Sequence, residues 1–252
     1  MPPAPPALDL RGLRKSFDRV AVDSLDLQVR AGEVFALLGP NGAGKTTTLR
    51  MAAGLLRPDA GSIRVCGIDA LADPVGAKQV AAWLPDEPLL YDKLTPLEYL
   101  EFVAGLWAVP PGLAAERAQD LLQRLSLWQH RDERCEGFSR GMRQKVVLAG
   151  ALLHEPGLLI LDEPLTGLDA SAARDVKDLL RARVSAGTGI VLTTHILDVA
   201  ERIADRIGII AHGRLLEVGT FEELRGRHPG HDTLEGLFLA LVAQPAVLAQ
   251  PA

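Results

Sequence analysis

Aromatic residues make up only 4% of this 252-residue chain, so Leu, Val, Ile and Ala have to fill most of its core. Cysteine is scarcer still. Cys66 and Cys135 form neither a CxxC pair nor a disulfide framework, and both read as reduced thiols of a cytoplasmic protein. No cysteine or histidine cluster has metal-binding spacing. Positive charge is not in excess either: the formal net charge is −5, which gives no diffuse attraction to nucleic acid or anionic lipid. Direct nucleic-acid binding is therefore not expected. Long apolar runs are also missing, since stretches such as Val146–Leu153 fall well short of the roughly 20 residues that cross a bilayer. The opening Met1-Pro-Pro-Ala-Pro-Pro6 lacks the basic and apolar regions of a signal peptide. Residues 1–7 read instead as a flexible, proline-rich tail. What remains, 48% apolar and 23% charged, is the composition of a soluble globular protein with a sizeable core.

Short strands are expected at 8–11, 25–29 and 62–65, where apolar and polar residues partly alternate, as in a sheet with one wet face. Val34-Phe-Ala-Leu-Leu38 is apolar throughout, the pattern of a strand covered on both faces. Further buried strands are expected at 158–161, 189–192 and 206–210, with helices at 44–54, 142–153, 170–184 and 197–204 between them. This alternation predicts an α/β fold. The stretch 87–136 breaks it with two amphipathic helices, 97–107 and 113–125, divided by Val109-Pro-Pro-Gly112. It reads as an inserted helical subdomain. The α/β core then comprises 8–86 and 137–225, and a C-terminal helical tail covers 226–252, with a helix near 233–242.

The chemistry begins at Gly39-Pro40-Asn41-Gly42-Ala43-Gly44-Lys45-Thr46, set between an apolar strand and a helix. Glycines at this spacing let successive backbone N–H groups turn around an anion. Lys45 adds a point charge, and the helix start adds further amides and a favourable dipole. Thr46 can place its hydroxyl on Mg²⁺, with Thr47 close to the phosphates. The second half is Leu158-Leu-Ile-Leu161-Asp162-Glu163. A carboxylate that ends a buried strand sits at the carboxyl edge of the sheet, where open α/β folds bind ligands. Asp162 is positioned to orient Mg²⁺ through water, and Glu163 to act as general base or to polarise the attacking water.

With these motifs the chain resembles the nucleotide-binding subunit of an ATP-binding cassette (ABC) transporter over roughly residues 8 to 225. Gly39–Thr46 resembles the Walker A loop and Leu158–Glu163 the Walker B segment. Phe138-Ser139-Arg140-Gly141-Met142-Arg-Gln144 resembles the signature motif, Leu165–Asp169 the D-loop, and Thr194-His195 the H-loop. Phe17 falls where the family stacks an aromatic on adenine. The resemblance implies a P-loop NTPase core of ABC type, with a small antiparallel β-subdomain and an inserted helical subdomain. It implies ATP and Mg²⁺ as cofactors, and a head-to-tail pairing with a second copy or a homologous cassette. In that pairing Ser139 and Gly141 of one copy meet the γ-phosphate held by the other, His195 steadies the water with Glu163, and Asp169 couples the two sites. Taken alone, Ser139 and Asp169 also fit helix caps, His195 a structural histidine, and Phe17 a core residue.

Three positions depart from the pattern. Arg140 and Met142 replace a glycine and a glutamine of the signature, as in bacterial ABC-2-type exporter and exoprotein-secretion ATPase subunits. Asp86 stands where many cassettes carry the Q-loop glutamine. A carboxylate there can still ligate or water-bridge Mg²⁺, and Glu87 is an alternative in the same loop. The resemblance implies an ATPase that powers export through a separate integral membrane permease, located peripherally on the cytoplasmic face of the membrane. Leu89, Leu90 and Tyr91 suit a groove for that permease or, alternatively, the packing of the helical subdomain. An importer subunit and a soluble ABC ATPase of nucleic acid, ribosome or cofactor assembly are the alternatives. The short interval between Walker A and the signature, without sustained heptads, argues against the DNA-repair type.

Overall fold

The computed structural model describes residues 5–243. The chain opens with an antiparallel pair, β1 (Leu8–Ser16) and β2 (Val20–Val29), then enters β3 (Val34–Leu38) and the helix α1 (Lys45–Ala52). It continues through β4 (Ala60–Val65), β5 (Ile68–Asp69), α2 (Pro74–Gln79) and β6 (Ala81–Leu84). The inserted helices are α3 (Pro96–Leu106) and α4 (Pro111–Arg124), followed by α5 (Arg140–Leu152). The remainder alternates: β7 (Leu158–Asp162), α6 (Ala170–Ser185), β8 (Gly189–Thr193), α7 (Leu197–Ile203) and β9 (Arg206–Ala211). β10 (Arg214–Gly219), α8 (Phe221–Arg227) and α9 (Leu234–Val242) close the described chain.

Two sheets result, one of four strands in the order β2-β1-β4-β5 and one of six in the order β10-β9-β3-β8-β7-β6. The first is antiparallel throughout. The second is parallel except for β10, which returns antiparallel to β9. Along β3, Val34, Ala36 and Leu38 face one apolar cluster while Phe35 and Leu37 face the other. β7 divides in the same way, with Leu159 and Leu161 on one side and Leu158 and Ile160 on the other. Both faces are covered, which is why these strands are apolar without alternation. Each buried Val, Leu, Ile or Phe among them contributes roughly 1.5–3 kcal/mol by leaving water.

The helical insert begins sharply because Thr95 and Glu98 form a reciprocal capping box ahead of α3, with Pro96 in its first turn. Val103 and Ala104 of α3, and Leu121 and Leu122 of α4, bury into the same cluster as one face of the large sheet, so the insert packs continuously with the core. At the other end, Ala7 is buried and its carbonyl accepts the Cys66 amide at 2.9 Å. Ordered packing thus includes Ala7, the last residue of the stretch 1–7 expected as a flexible tail. Residues 1–4 of that tail, and 244–252 of the 226–252 segment, lie outside the described residues. Cys66 and Cys135 are both free thiols. Among the described residues no helix is long and apolar enough to cross a membrane.

Candidate functional site

The strand order sets the site. β3, β8, β7 and β6 are consecutive neighbours, and at their carboxyl ends come Gly39–Thr47, Thr194-His195, Asp162-Glu163 and Asp86. Residues far apart in sequence therefore meet along one sheet edge, as ligand sites of open α/β folds do.

The loop after β3 needs its glycines. A Cβ at Gly39 would lie 2.3 Å from the Ile210 carbonyl oxygen, and one at Gly44, where φ is +106°, would lie 2.5 Å from the Ala21 carbonyl oxygen. Around this loop is a cavity of ≈ 580 Å³ lined by residues 17–21 and 41–47. Phe17 stands exposed at its rim, with the Lys15 ammonium 5.7 Å from the ring centroid. Lys45 folds back on the loop, donating to the carbonyls of Gly39 at 2.6 Å and Pro40 at 3.1 Å. Burial pulls its ammonium below the usual lysine range, while Glu163 and then Asp162 pull it back up.

A second cavity, ≈ 260 Å³, is lined by Asn41, Lys45, Thr46, Asp86, Asp162, Glu163, Thr166 and His195. Thr46 Oγ1 donates to Asp162 Oδ2 at 3.0 Å, and the buried Thr193 hydroxyl donates to Asp162 Oδ1 at 2.5 Å. The Thr193 oxygen also accepts the Glu163 amide at 3.2 Å, so one hydroxyl braces both acids. Glu163 Oε2 accepts from the Thr166 hydroxyl at 3.1 Å and from the His195 amide at 3.3 Å, and lies 2.9 Å from His195 Nδ1. Its backbone is left-handed, with φ +53°. For a non-glycine residue that costs on the order of 1 kcal/mol or more.

Thr46 and Asp162 are hard oxygen donors already side by side, which suits Mg²⁺. Among the described residues there is no group of three or more His, Cys, Asp or Glu side chains placed to hold a metal ion. The cradle and donor set fit a magnesium–nucleotide triphosphate.

Other expected residues lie apart. Ser139 caps α5, its Oγ accepting the Met142 amide at 3.3 Å, and the amides of Arg140 and Gly141 at that helix start have no intrahelical partner. Asp169 caps α6 through the Ala172 amide at 2.8 Å. Ser139, Gly141 and Asp169 line neither of the two cavities. Asp86 does line the smaller one, but its Oδ1 is held by Arg140 at 2.9 Å. Glu87 lines neither. Sequence reasoning overlooked Arg19 on the larger cavity and Thr193 beneath both acids. Thr193 was within reach as the residue that ends an apolar strand just before His195. Leu89 and Tyr91 are exposed, whereas a groove of ≈ 320 Å³ opens between Leu55, Trp83, Leu106 and Trp107, with His154 among its lining.

Residues 22–166 match the family described as ABC transporter. The chain is 42% identical over 220 residues to the daunorubicin/doxorubicin resistance ATP-binding protein DrrA of Streptomyces peucetius, covering 87% of this chain and 67% of that one. It is 37% identical over 240 residues to the Nod factor export ATP-binding protein I of Ralstonia nicotianae, covering 93% and 75%. A solved structure described as the ATP binding subunit of an ABC transporter superposes with a TM-score of 0.88 at 33% identity, covering 93% of this chain and 99% of that one. The chain belongs to the ABC transporter family. Within it, the chain is an ATP-binding subunit similar to those of exporters.

Proposed function

We propose that this chain hydrolyses ATP to drive export through a separate membrane permease, working as a head-to-tail pair of cassettes. The observation that carries the proposal is the convergence of Lys45, Thr46, Asp162, Glu163 and His195 on one cavity at the sheet's carboxyl edge. Lys45 and the amides of the Gly39–Thr46 loop bind the phosphates, with Thr47 beside them and Phe17 against the base. Thr46 and Asp162 hold Mg²⁺, which supplies charge neutralisation on the phosphates when bound. Glu163 receives the proton of the attacking water, and His195 holds the carboxylate and water in line. Ser139 and Gly141, which line neither cavity, present an anion-binding helix start that a second copy's nucleotide can use. Asp169, at the start of α6, is assigned the coupling between the two sites.

Export is favoured by similarity to a protein named for drug resistance and to one named for Nod factor export. The groove beside Leu55, Trp83 and Leu106 supports a permease contact, since an apolar groove suits an amphipathic helix.

The test is steady-state hydrolysis of ATP by the purified chain against Glu163→Gln. A loss of roughly 10²–10⁴-fold is expected, together with ATP-dependent dimerisation of the variant on a sizing column. Hydrolysis at the parental rate in Glu163→Gln would remove Glu163 from the reaction.

A further inference from the structure

Two of the residues that depart from the family pattern touch each other. Arg140 Nη2 donates to Asp86 Oδ1 at 2.9 Å and to the Asp86 carbonyl at 3.4 Å, although the two positions are 54 residues apart. Asp86 is also a wall of the smaller cavity, which already contains the carboxylates of Asp162 and Glu163 against the single ammonium of Lys45. A third carboxylate would repel the phosphates that the loop is shaped to hold. The Arg140 guanidinium sets an opposite charge against it from outside, since Arg140 does not itself line that cavity.

The contact is built into the surrounding structure. Arg140 opens α5, directly after Ser139, and its stem lies across Gly167: a Cβ there would be 3.3 Å from Arg140 Cδ. Gly167 itself has φ +78°, a backbone that favours glycine. Arg140 therefore reaches Asp86 along a path that a side chain at 167 would crowd. Two further ion pairs, Arg143 with Asp92 and Lys93 with Glu136, join the same two segments. The stretch from 86 to 93 is thus strapped to α5 at Arg140 and Arg143 and to the turn just before it at Glu136.

We infer that Arg140 is a positioning residue for nucleotide binding: it neutralises and orients Asp86, so that a carboxylate can occupy this wall of the site. The inference rests on the nucleotide reading given above. It predicts compensation. Arg140→Gln leaves Asp86 unbalanced and weakens Mg–ATP binding, Asp86→Asn removes the charge that needs balancing, and the double variant recovers most of the loss. Both side chains of the pair are about half exposed. An ion pair of that kind supports a change of about 2- to 5-fold in affinity.

The experiment is titration of each full-length variant with a fluorescent ATP analogue and Mg²⁺, at low and at high ionic strength. Thermal unfolding of each variant checks that it is folded. The expected result is a weaker Kd for Arg140→Gln, recovery in Arg140→Lys and in the double variant, and a smaller difference at high salt. A purely structural role for Arg140 would give no recovery on removing the Asp86 charge. Equal losses in Arg140→Gln whether residue 86 is Asp or Asn would overturn the inference while leaving nucleotide binding intact. Absence of binding by the parent protein, or binding indifferent to Lys45→Ala, would instead overturn the nucleotide reading itself.

Discussion

Thr193→Val is the most informative single substitution in the site, because it changes one atom under both acids proposed to serve the reaction. Thr193 is fully buried (0% exposed), so water cannot replace what its hydroxyl provides. That hydroxyl donates to the Asp162 carboxylate at 2.5 Å and accepts the Glu163 amide at 3.2 Å. Losing a hydrogen bond to a charged group costs about 1.5–3 kcal/mol, and leaving the half-buried Glu163 amide without its partner roughly 1 kcal/mol more. The methyl that replaces the hydroxyl returns about 1 kcal/mol through apolar burial. The polar loss wins, leaving a net destabilisation of roughly 2 kcal/mol or more. At about 2–4 °C per kcal/mol for a chain of this size, melting should fall by roughly 4–8 °C. Because Asp162 also loses a partner that fixes its direction, affinity for Mg²⁺ in the presence of nucleotide should drop by about 10-fold or more. Thermal unfolding followed by circular dichroism checks the first number and magnesium titration the second. Thr193→Ser, which keeps the hydroxyl, is the control. If valine melts within a degree of the parent, or no lower than serine, the bracing described here is wrong.

Other perturbations follow from the same geometry. Gly39→Ala forces a Cβ to within 2.3 Å of a backbone oxygen that cannot swing aside, so ATP-analogue binding should weaken by more than about 10-fold. Gly137→Ala, with nothing within 4 Å of its Cβ, should bind as the parent does. The third prediction concerns acid. His154 stacks on Trp107 with ring centroids 4.1 Å apart, its Nδ1 is buried without a partner, and burial lowers its pKa below the usual 6.5. A histidine lowered in this way contributes stability above its unfolded pKa and loses it as pH falls through the folded value. Denaturant titrations from about pH 7.5 down to about pH 5 should show a loss that His154→Gln flattens, and equal slopes for both proteins would rule His154 out as a source.

Much of the site was legible because phosphate chemistry constrains the local sequence tightly. A loop that wraps an anion needs glycines at fixed intervals, and a metal-side carboxylate needs a buried strand to carry it, so Gly39–Thr46 and Asp162-Glu163 announce themselves. The long apolar strands were legible for a similar reason, both faces being covered. The first sheet was harder. β1 was expected to stop at residue 11, but it runs to Ser16 through a register shift between Leu10 and Leu13, with Gly12 at φ +55°. An irregularity of this kind breaks the two-residue alternation on which such a reading depends. β2 was shortened by the same effect, as Ser24 at φ +49° interrupts the pattern before Leu25. The short elements β5, α2 and α8 were not anticipated, since two to seven residues carry too little periodicity. Long-range ion pairs such as Arg140 with Asp86 lie wholly outside the reach of local pattern, because nothing in either segment encodes its partner's distance.

The left-handed backbone at Glu163 has a practical consequence for anyone seeking a sturdier version of this subunit. That conformation favours glycine and asparagine, so the residue proposed to activate water occupies a position where the polypeptide would rest more easily with something else. Gly or Asn at 163 would relieve on the order of 1 kcal/mol of backbone strain, set against the hydrogen bonds that Thr166 and His195 make to the Glu163 carboxylate, and would remove the group proposed to activate water. Selection on this scaffold therefore has to score turnover alongside melting, with position 163 the first place to look when the two disagree.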